Sequence, residues 1–332
     1  MTSARFPLLI GVFVLATALV FLALGPVQAA GTGYIFVSTE KGNEVVVFDQ
    51  DMNLVKRIET SRRPRDIYFN ADKTLLYVAC GDDDAIDVID VATLEVIDTI
   101  PTGPSPEVFA FSPDEKLIYV SNEEDSRLEA IDMETRVSIQ DVPTGAEPEG
   151  VLVMPDGKTA YVTSEVADMV HVVDTATGAV TKNILVGTRP RRFILTPDGS
   201  ELWVSCELSS EIYIIDTATN EIKGDSLIFV PPGFREEDVT PVGMAITRDG
   251  SKVLLSLGRA NHVAVIDAKS YEVLDYVLVG RRAWSVDLSR DESKAYVANG
   301  LSDDVTIVDM ATLKPIKSVP VGRVPHSVVI DD

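Results

Sequence analysis

Positive charge is scarce in this sequence. Lysine and arginine number 29 against 52 aspartates and glutamates, a formal net charge of −23 over 332 residues. That balance excludes a role wrapping nucleic acid, which needs a dense cationic footprint. Cysteine is scarcer still. Two residues, Cys80 and Cys206, cannot build a disulfide scaffold, and they fit neither a C-x-x-C-H haem attachment nor a zinc-ligand spacing. The three histidines, His171, His262 and His326, form no H-E-x-x-H pair, and G-x-S-x-G and phosphate-binding glycine loops are missing. The motifs therefore assign no catalytic residue, no metal and no cofactor.

What is present is ordinary globular material, 45% apolar and 24% charged residues, enough to build a core. The longest apolar run, Leu8 to Leu24, follows Arg5 and precedes Val27-Gln28-Ala29. This order predicts a secretory signal over residues 1–29, cut after Ala29, with the mature chain in the periplasm. An uncleaved membrane anchor is the alternative, because the run approaches the length of a spanning helix. No cysteine lies near the cut, which argues against a lipoprotein.

Residues 30–332 are one repeat written seven times. An apolar or aromatic residue (Phe36, Tyr77, Tyr119, Tyr161, Trp203, Leu254, Tyr296) is followed thirteen positions later by an aspartate (Asp49, Asp90, Asp132, Asp174, Asp216, Asp267, Asp309). Each copy holds four short β-rich runs separated by turn signals such as Pro155-Asp156-Gly157. Four strands per repeat of about 42 residues predict an all-β, seven-bladed β-propeller of four-stranded antiparallel blades. The first copy starts at its second strand, and the last segment, Pro325 to Ile330, is an inner strand with nothing after it. Together they make one blade, so the C-terminal strand is expected to close the ring and remove its open edge.

Tyr119-Val120-Ser121-Asn122 and Tyr296-Val297-Ala298-Asn299 resemble the YVTN-repeat propellers, and the resemblance spans everything after the leader. More narrowly, the chain is similar to the exported seven-repeat propellers associated with PQQ-dependent alcohol catabolism. The resemblance implies a setting near a quinoprotein dehydrogenase and its transport system. PQQ itself carries carboxylates that an arginine ring could hold. The repeat motif is specific for the fold and carries no catalytic signature.

The seven aspartates read as turn residues rather than a carboxylate array. Six are followed three positions on by Thr or Ser, the pattern of a side chain accepting from nearby backbone amides. The cysteines occupy equivalent positions in the second and fifth blades, too far apart across a ring for a disulfide, so both are expected buried and free. His171 falls in a third strand and reads as structural, whereas His262 and His326 lie at strand ends on one face.

Function is expected where the copies diverge on that face. The residue after the repeated proline is Arg65, Glu107, Glu149, Arg191, Val242, Trp284 and His326 around the ring. Arg62, Arg63, Arg189, Arg192, Arg281, Arg282 and Arg323 cluster nearby, so nine of seventeen arginines lie in these few connections. Two readings stand open. The arginines hold a carboxylate or phosphate, or they balance internal acids such as Asp82 to Asp84, Asp303 and Asp304. On the first, Arg65, Arg191, Arg192, Arg282 and His326 form a cationic arc, Trp284 an apolar contact, and Glu107 with Glu149 an opposing acidic arc, so the mouth is polarised. The longest copy, Asp216 to Asp267, adds an insertion over Gly224 to Val239 on the same face, either a lid or docking element or a tolerated surface insertion.

The favoured reading is a non-catalytic binding or accessory propeller presenting this ring to an anionic small molecule or a periplasmic protein partner. The alternatives are a lactone hydrolase, with His326, Glu107 or Glu149 as general base, and a pure interaction scaffold.

Overall fold

Most runs of five to seven β-branched, aromatic and aliphatic residues are strands, and four of them make a blade. The computed structural model describes Met1 and residues 31–332. The leader assigned to residues 1–29 lies outside the described residues apart from Met1. In blade 2 the order from the axis outward is Pro64–Phe69, Leu75–Cys80, Ala85–Asp90 and Glu95–Pro101, all antiparallel. Six further sheets repeat this plan, the outer strand of blade 5 being split into Glu221–Ile222 and Leu227–Ile228. The seven-bladed propeller expected from the repeat is the fold.

Burial explains why the middle strands read as continuous apolar runs. Leu75–Cys80 and Ala85–Asp90 are buried on both faces, whereas the outer Glu95–Pro101 is almost wholly exposed. A blade has two apolar faces and needs a neighbour on each. Seven apolar clusters accordingly lie between adjacent blades. Phe36, Val45, Leu76 and Val78 join blades 1 and 2, and Val37, Val328, Tyr296 and Val305 join blades 1 and 7. Fully burying each such side chain contributes about 1.5–3 kcal/mol, so no blade is stable without both partners.

Closure happens as the incomplete ends predict. Pro325–Asp331 pairs with Tyr34–Thr39, setting Val328 opposite Val37 and Val329 opposite Phe36. The aspartates are turn residues. Asp132 accepts from the Thr135 amide at 2.7 Å and its hydroxyl at 2.9 Å, and Asp90, Asp174, Asp216, Asp267 and Asp309 do likewise with the amide three positions on. Asp49, which lacks that Thr or Ser, takes the Asn53 amide at 2.8 Å. Cys80 and Cys206 are buried and free, in separate inter-blade clusters. His171 is structural: its Nε2 accepts from the Gly145 amide at 3.0 Å.

The insertion is docked on blades 5 and 6. Phe229 and Val239 are buried there, with Phe234 partly buried against them. Leu227–Ile228 pairs with the start of Glu211–Asp216, and the Ser210 hydroxyl donates to the carbonyls of Glu236 and Val239, each at 2.7 Å.

Deleting residues from Val324 onward strips blade 1 of its inner strand and exposes the edge of Tyr34–Thr39. Loss of cooperative thermal unfolding, with aggregation, is the expected result in calorimetry. A truncated chain that melts like the full one overturns closure as the stabilising event.

Candidate ligand site at the channel mouth

The mouth is built where each inner strand begins, and a bulge shapes it. In blade 2, Pro64 pairs with Cys80 and Ile67 with Val78, but the register shifts between them. The same shift follows Pro106, Pro148, Pro190 and Ala283. Two consecutive residues are thereby released from the strict alternation that would turn them to opposite faces. Arg191 and Arg192 both reach Glu149 for this reason, at 3.3 and 2.5 Å.

A repeated hydroxyl fastens the bulge. Two positions after the aromatic landmark, Ser121 accepts from the Val108 amide at 3.1 Å and donates to the Glu149 carbonyl of the next blade at 2.5 Å. Thr163, Ser205, Ser256 and Ser38 make the same two bonds in their own blades. The third letter of the Tyr-Val-Ser motif therefore links the blades at the level of the site. Ala79 and Ala298 leave two gaps in this belt.

Arg65, Glu107, Glu149, Arg191, Arg192, Trp284 and His326 are all brought together and buried, and Arg282 stands half-exposed beside them. Their arrangement differs from the polarised ring expected of them. Glu107 contacts Arg65, and meets Arg63 at 2.8 Å. Glu149 lies between Arg65, Arg191 and Arg192. Acid and base alternate because a carboxylate buried without a cation costs several kcal/mol, so opposite charges from different blades interleave. Asp66, adjacent to Arg65 in the chain, pairs with Arg192 across the axis at 3.3 Å.

A second ring of acids, which the divergence of the proline-following positions did not reveal, completes the pairing. Glu40, Glu123, Glu165 and Glu207 stand four positions after the landmark in blades 1, 3, 4 and 5. Glu165 contacts Arg191 and holds Arg189 at 2.7 Å, and Glu207 reaches Arg189, Arg191 and Arg282 at 3.4, 3.7 and 3.8 Å. Glu40 lies 3.5 Å from Arg65, and Glu123 3.7 Å from Arg63. Aligning the copies one landmark further would have found them. Internal balancing is thus the main role of Arg65, Arg191 and Arg192, and the acids involved are these glutamates. Among the loop aspartates first considered, Asp83 pairs with exposed Arg62.

The network moves its members' titration in opposite directions. Burial opposes ionisation of Glu149, but Arg191, Arg192 and Arg65 outweigh it and hold the carboxyl down at about 2. Burial pushes Glu107 up to about 8 and Glu165 to about 7, against the pull of Arg65 and Arg191 respectively. Burial, then the charges of Arg65, Arg192 and Arg191, drives His326 well below the usual histidine range. The indole of Trp284 is a donor only, and it gives its N–H to His326 Nε2 at 2.8 Å. The His326 proton therefore sits on Nδ1, which faces Asp66 at 3.5 Å and Ser327 at 3.3 Å. The one lone pair of this imidazole is thus engaged by the Trp284 indole.

Trp284 also differs from a plain apolar contact, since the guanidinium carbons of Arg191 and Arg282 lie 5.0 and 4.7 Å from its ring centroid. Beside it opens a cavity of about 310 Å³, walled on blade 7 by Gly300 and Leu301, and on the connection into blade 1 by Val324 and Pro325. No insertion residue lines it, so the insertion is not its lid. A wider cleft of about 570 Å³ lies at the opposite end of the axis, where Lys73, Arg248 and Arg290 alternate with Asp72, Asp90 and Asp332. The mouth cavity combines a large aromatic ring, Trp284, with a half-exposed guanidinium, Arg282.

The class is therefore a seven-bladed propeller with a buried ionic belt and a small axial cavity. The chain belongs to the YNCE-like β-propeller family, whose model matches residues 29–191 and 241–332. The unmatched stretch is most of blade 5 and the insertion. A search of curated protein sequences finds no match. Among solved structures, the chain is similar to hydrazine synthase from Kuenenia stuttgartiensis, at 22% identity and TM-score 0.75, covering 84% of this chain and 93% of that one. It is similar to the periplasmic gluconolactonase PpgL of Pseudomonas aeruginosa, at 18% identity and TM-score 0.76, covering 90% and 99%. A functionally unknown protein from Desulfotomaculum acetoxidans aligns at 16% identity and TM-score 0.76, also covering 90% and 99%. At these identities the likeness is one of fold.

Replacing Arg191 with Ala leaves Glu165 and Glu149 buried with fewer counter-charges. A loss of about 3–5 kcal/mol in denaturant unfolding is expected, in contrast to the unchanged stability that a purely ligand-facing arginine would give. His326 supplies a pH signature. Its folded value lies below the unfolded one of about 6.5, so its contribution is complete above that pH and is lost as pH falls. The slope is up to about 1.4 kcal/mol per pH unit. His326→Gln keeps an acceptor for Trp284, and its melting temperature should fall less steeply than wild type between pH 6.5 and 5.

Proposed function

We propose that this chain is an exported, non-catalytic binding propeller whose channel mouth takes an anionic small molecule. One observation carries the reading. Arg282 stands half-exposed on the Trp284 ring, and its nearest carboxylate, Glu207, is 3.8 Å away. Charge and aromatic surface are thus available together at a cavity of about 310 Å³. That is a volume at the small end of ligand pockets, about 300–1,000 Å³. Export rests on the leader at residues 1–29. An accessory role beside a quinoprotein dehydrogenase rests on the family resemblance. PQQ itself is a poor candidate for this cavity, because its several carboxylates exceed the one under-neutralised cation that lines it.

The gluconolactonase similarity motivates a lactone-hydrolase reading of the same mouth. Against it, the His326 lone pair is spent on Trp284, and both carboxylates first considered as bases lie against guanidinium groups. The two readings separate in one experiment. Calorimetric titration of the purified protein with aromatic acids, citrate, PQQ and gluconolactone is expected to give saturable binding of an acid at one site per chain, without lactone turnover. Hydrolysis of the lactone by wild-type protein, abolished in His326→Gln, overturns the binding reading.

A further inference from the structure

Arg282 has two internal equivalents, and comparing the three isolates what is unusual about it. Arg63, Arg189 and Arg282 each precede the first residue of an inner strand, and all three adopt the left-handed backbone conformation, with φ of 59°, 61° and 59°. Each accepts, at its carbonyl, the amide of the residue four positions past its blade's landmark: Gly81, Glu207 and Gly300 respectively. Backbone placement is therefore the same, and any difference in charge pairing comes from the neighbours.

Those neighbours differ sharply. Arg189 stands between blades that both carry the glutamate, and it holds Glu165 at 2.7 Å and Glu207 at 3.4 Å. Arg63 has Glu40 behind it and borrows Glu107 from blade 3 at 2.8 Å. Arg282 stands between blades 6 and 7, where the equivalent residues are Gly258 and Gly300. Burial, with the nearby charges of Arg191 and Arg259, brings its affinity for a proton below the usual guanidinium value, and Glu207 and Glu40 oppose this without prevailing. An anion is what this position lacks.

The missing glutamate also leaves space. A Cβ built on Gly300 would meet nothing nearer than 3.6 Å, so the glycine is not demanded by packing. The gap it leaves is part of the cavity, and the wall there is apolar, made of Leu301, Val324 and Pro325. Elsewhere on the cavity wall the guanidinium groups are already paired. Of the five arginines that line it, Arg63, Arg65, Arg189 and Arg191 each lie against Glu107 or Glu165, whereas Arg282 has its nearest carboxylate, Glu207, at 3.8 Å. A second negative charge on a ligand would find no unpaired guanidinium on the cavity wall and would face Glu40 and Glu123, which also line it.

Resting on the binding reading above, we infer that the mouth selects a monocarboxylate bearing an apolar group, its carboxylate against Arg282 in place of the glutamate that blade 7 lacks. Its apolar part lies along Leu301, Val324 and Pro325. A phosphate dianion or a polycarboxylate is rejected by the surrounding acids.

Calorimetric titration of the full-length mature protein with benzoate, hexanoate, citrate and inorganic phosphate tests this. One site per chain for benzoate or hexanoate is expected, with citrate and phosphate at least ten-fold weaker. Arg282→Gln should weaken the monoacid ten- to hundred-fold, the range of one charge-assisted contact. Gly300→Glu should do the same while keeping or raising the melting temperature, because it supplies the carboxylate from within. Preference for citrate or phosphate, or unchanged monoacid affinity in Gly300→Glu, overturns the selectivity and leaves the binding reading standing. If none of the four acids binds, the binding reading falls and this inference falls with it.

Discussion

A four-stranded blade has two apolar faces and can cover neither by itself. Its middle strands are buried on both sides only because another blade lies against each, and the chain satisfies this seven times by returning to its own start. Pro325–Asp331 completes blade 1 beside Tyr34–Thr39, and with that pairing the axial edge of Tyr34–Thr39 is covered. The axial position of every inner strand follows from closure, as does the convergence of their first residues on one mouth. The ring is thus the condition for the site as well as for stability.

Convergence brings its own problem. Polar and charged side chains at the strand starts meet in a region shielded from water, where unpaired charge is costly. The bulge at the start of the inner strand and the hydroxyl that fastens it allow neighbouring side chains such as Arg191 and Arg192 to turn inward together. Glutamates from the ends of the second strands then complete the pairing. Arg282 is the exception, its nearest carboxylate 3.8 Å away where blades 6 and 7 offer glycine instead of glutamate. A site is recognised here by an interruption in an otherwise balanced belt rather than by an accumulation of charge.

The insertion illustrates how position on a face differs from participation in a site. It emerges on the mouth side, yet Phe229 and Val239 draw it onto blades 5 and 6, and it lines no part of the cavity. Buried apolar area decided its course. Its place in the chain told only which face it would leave from.

Much of this was legible in the sequence because a repeat states its structural requirements seven times. The landmark and aspartate spacing determined the blade count, the turn role of Asp90 and its equivalents, the closure by the C-terminal strand and the separation of Cys80 from Cys206. The residues gathered at the mouth were legible too, since divergence at a fixed register marks them. Their partners were not. Arg192 and Asp66 are 126 residues apart in the chain, and whether an arginine meets a ligand or a glutamate depends on distances of a few ångströms that exist only once the ring has closed. Coulombic pairing and desolvation act through space and through burial, and neither is a property of spacing along the chain. The sequence alone therefore determined which side chains would share the mouth, and only the tertiary structure decided which of them remained available.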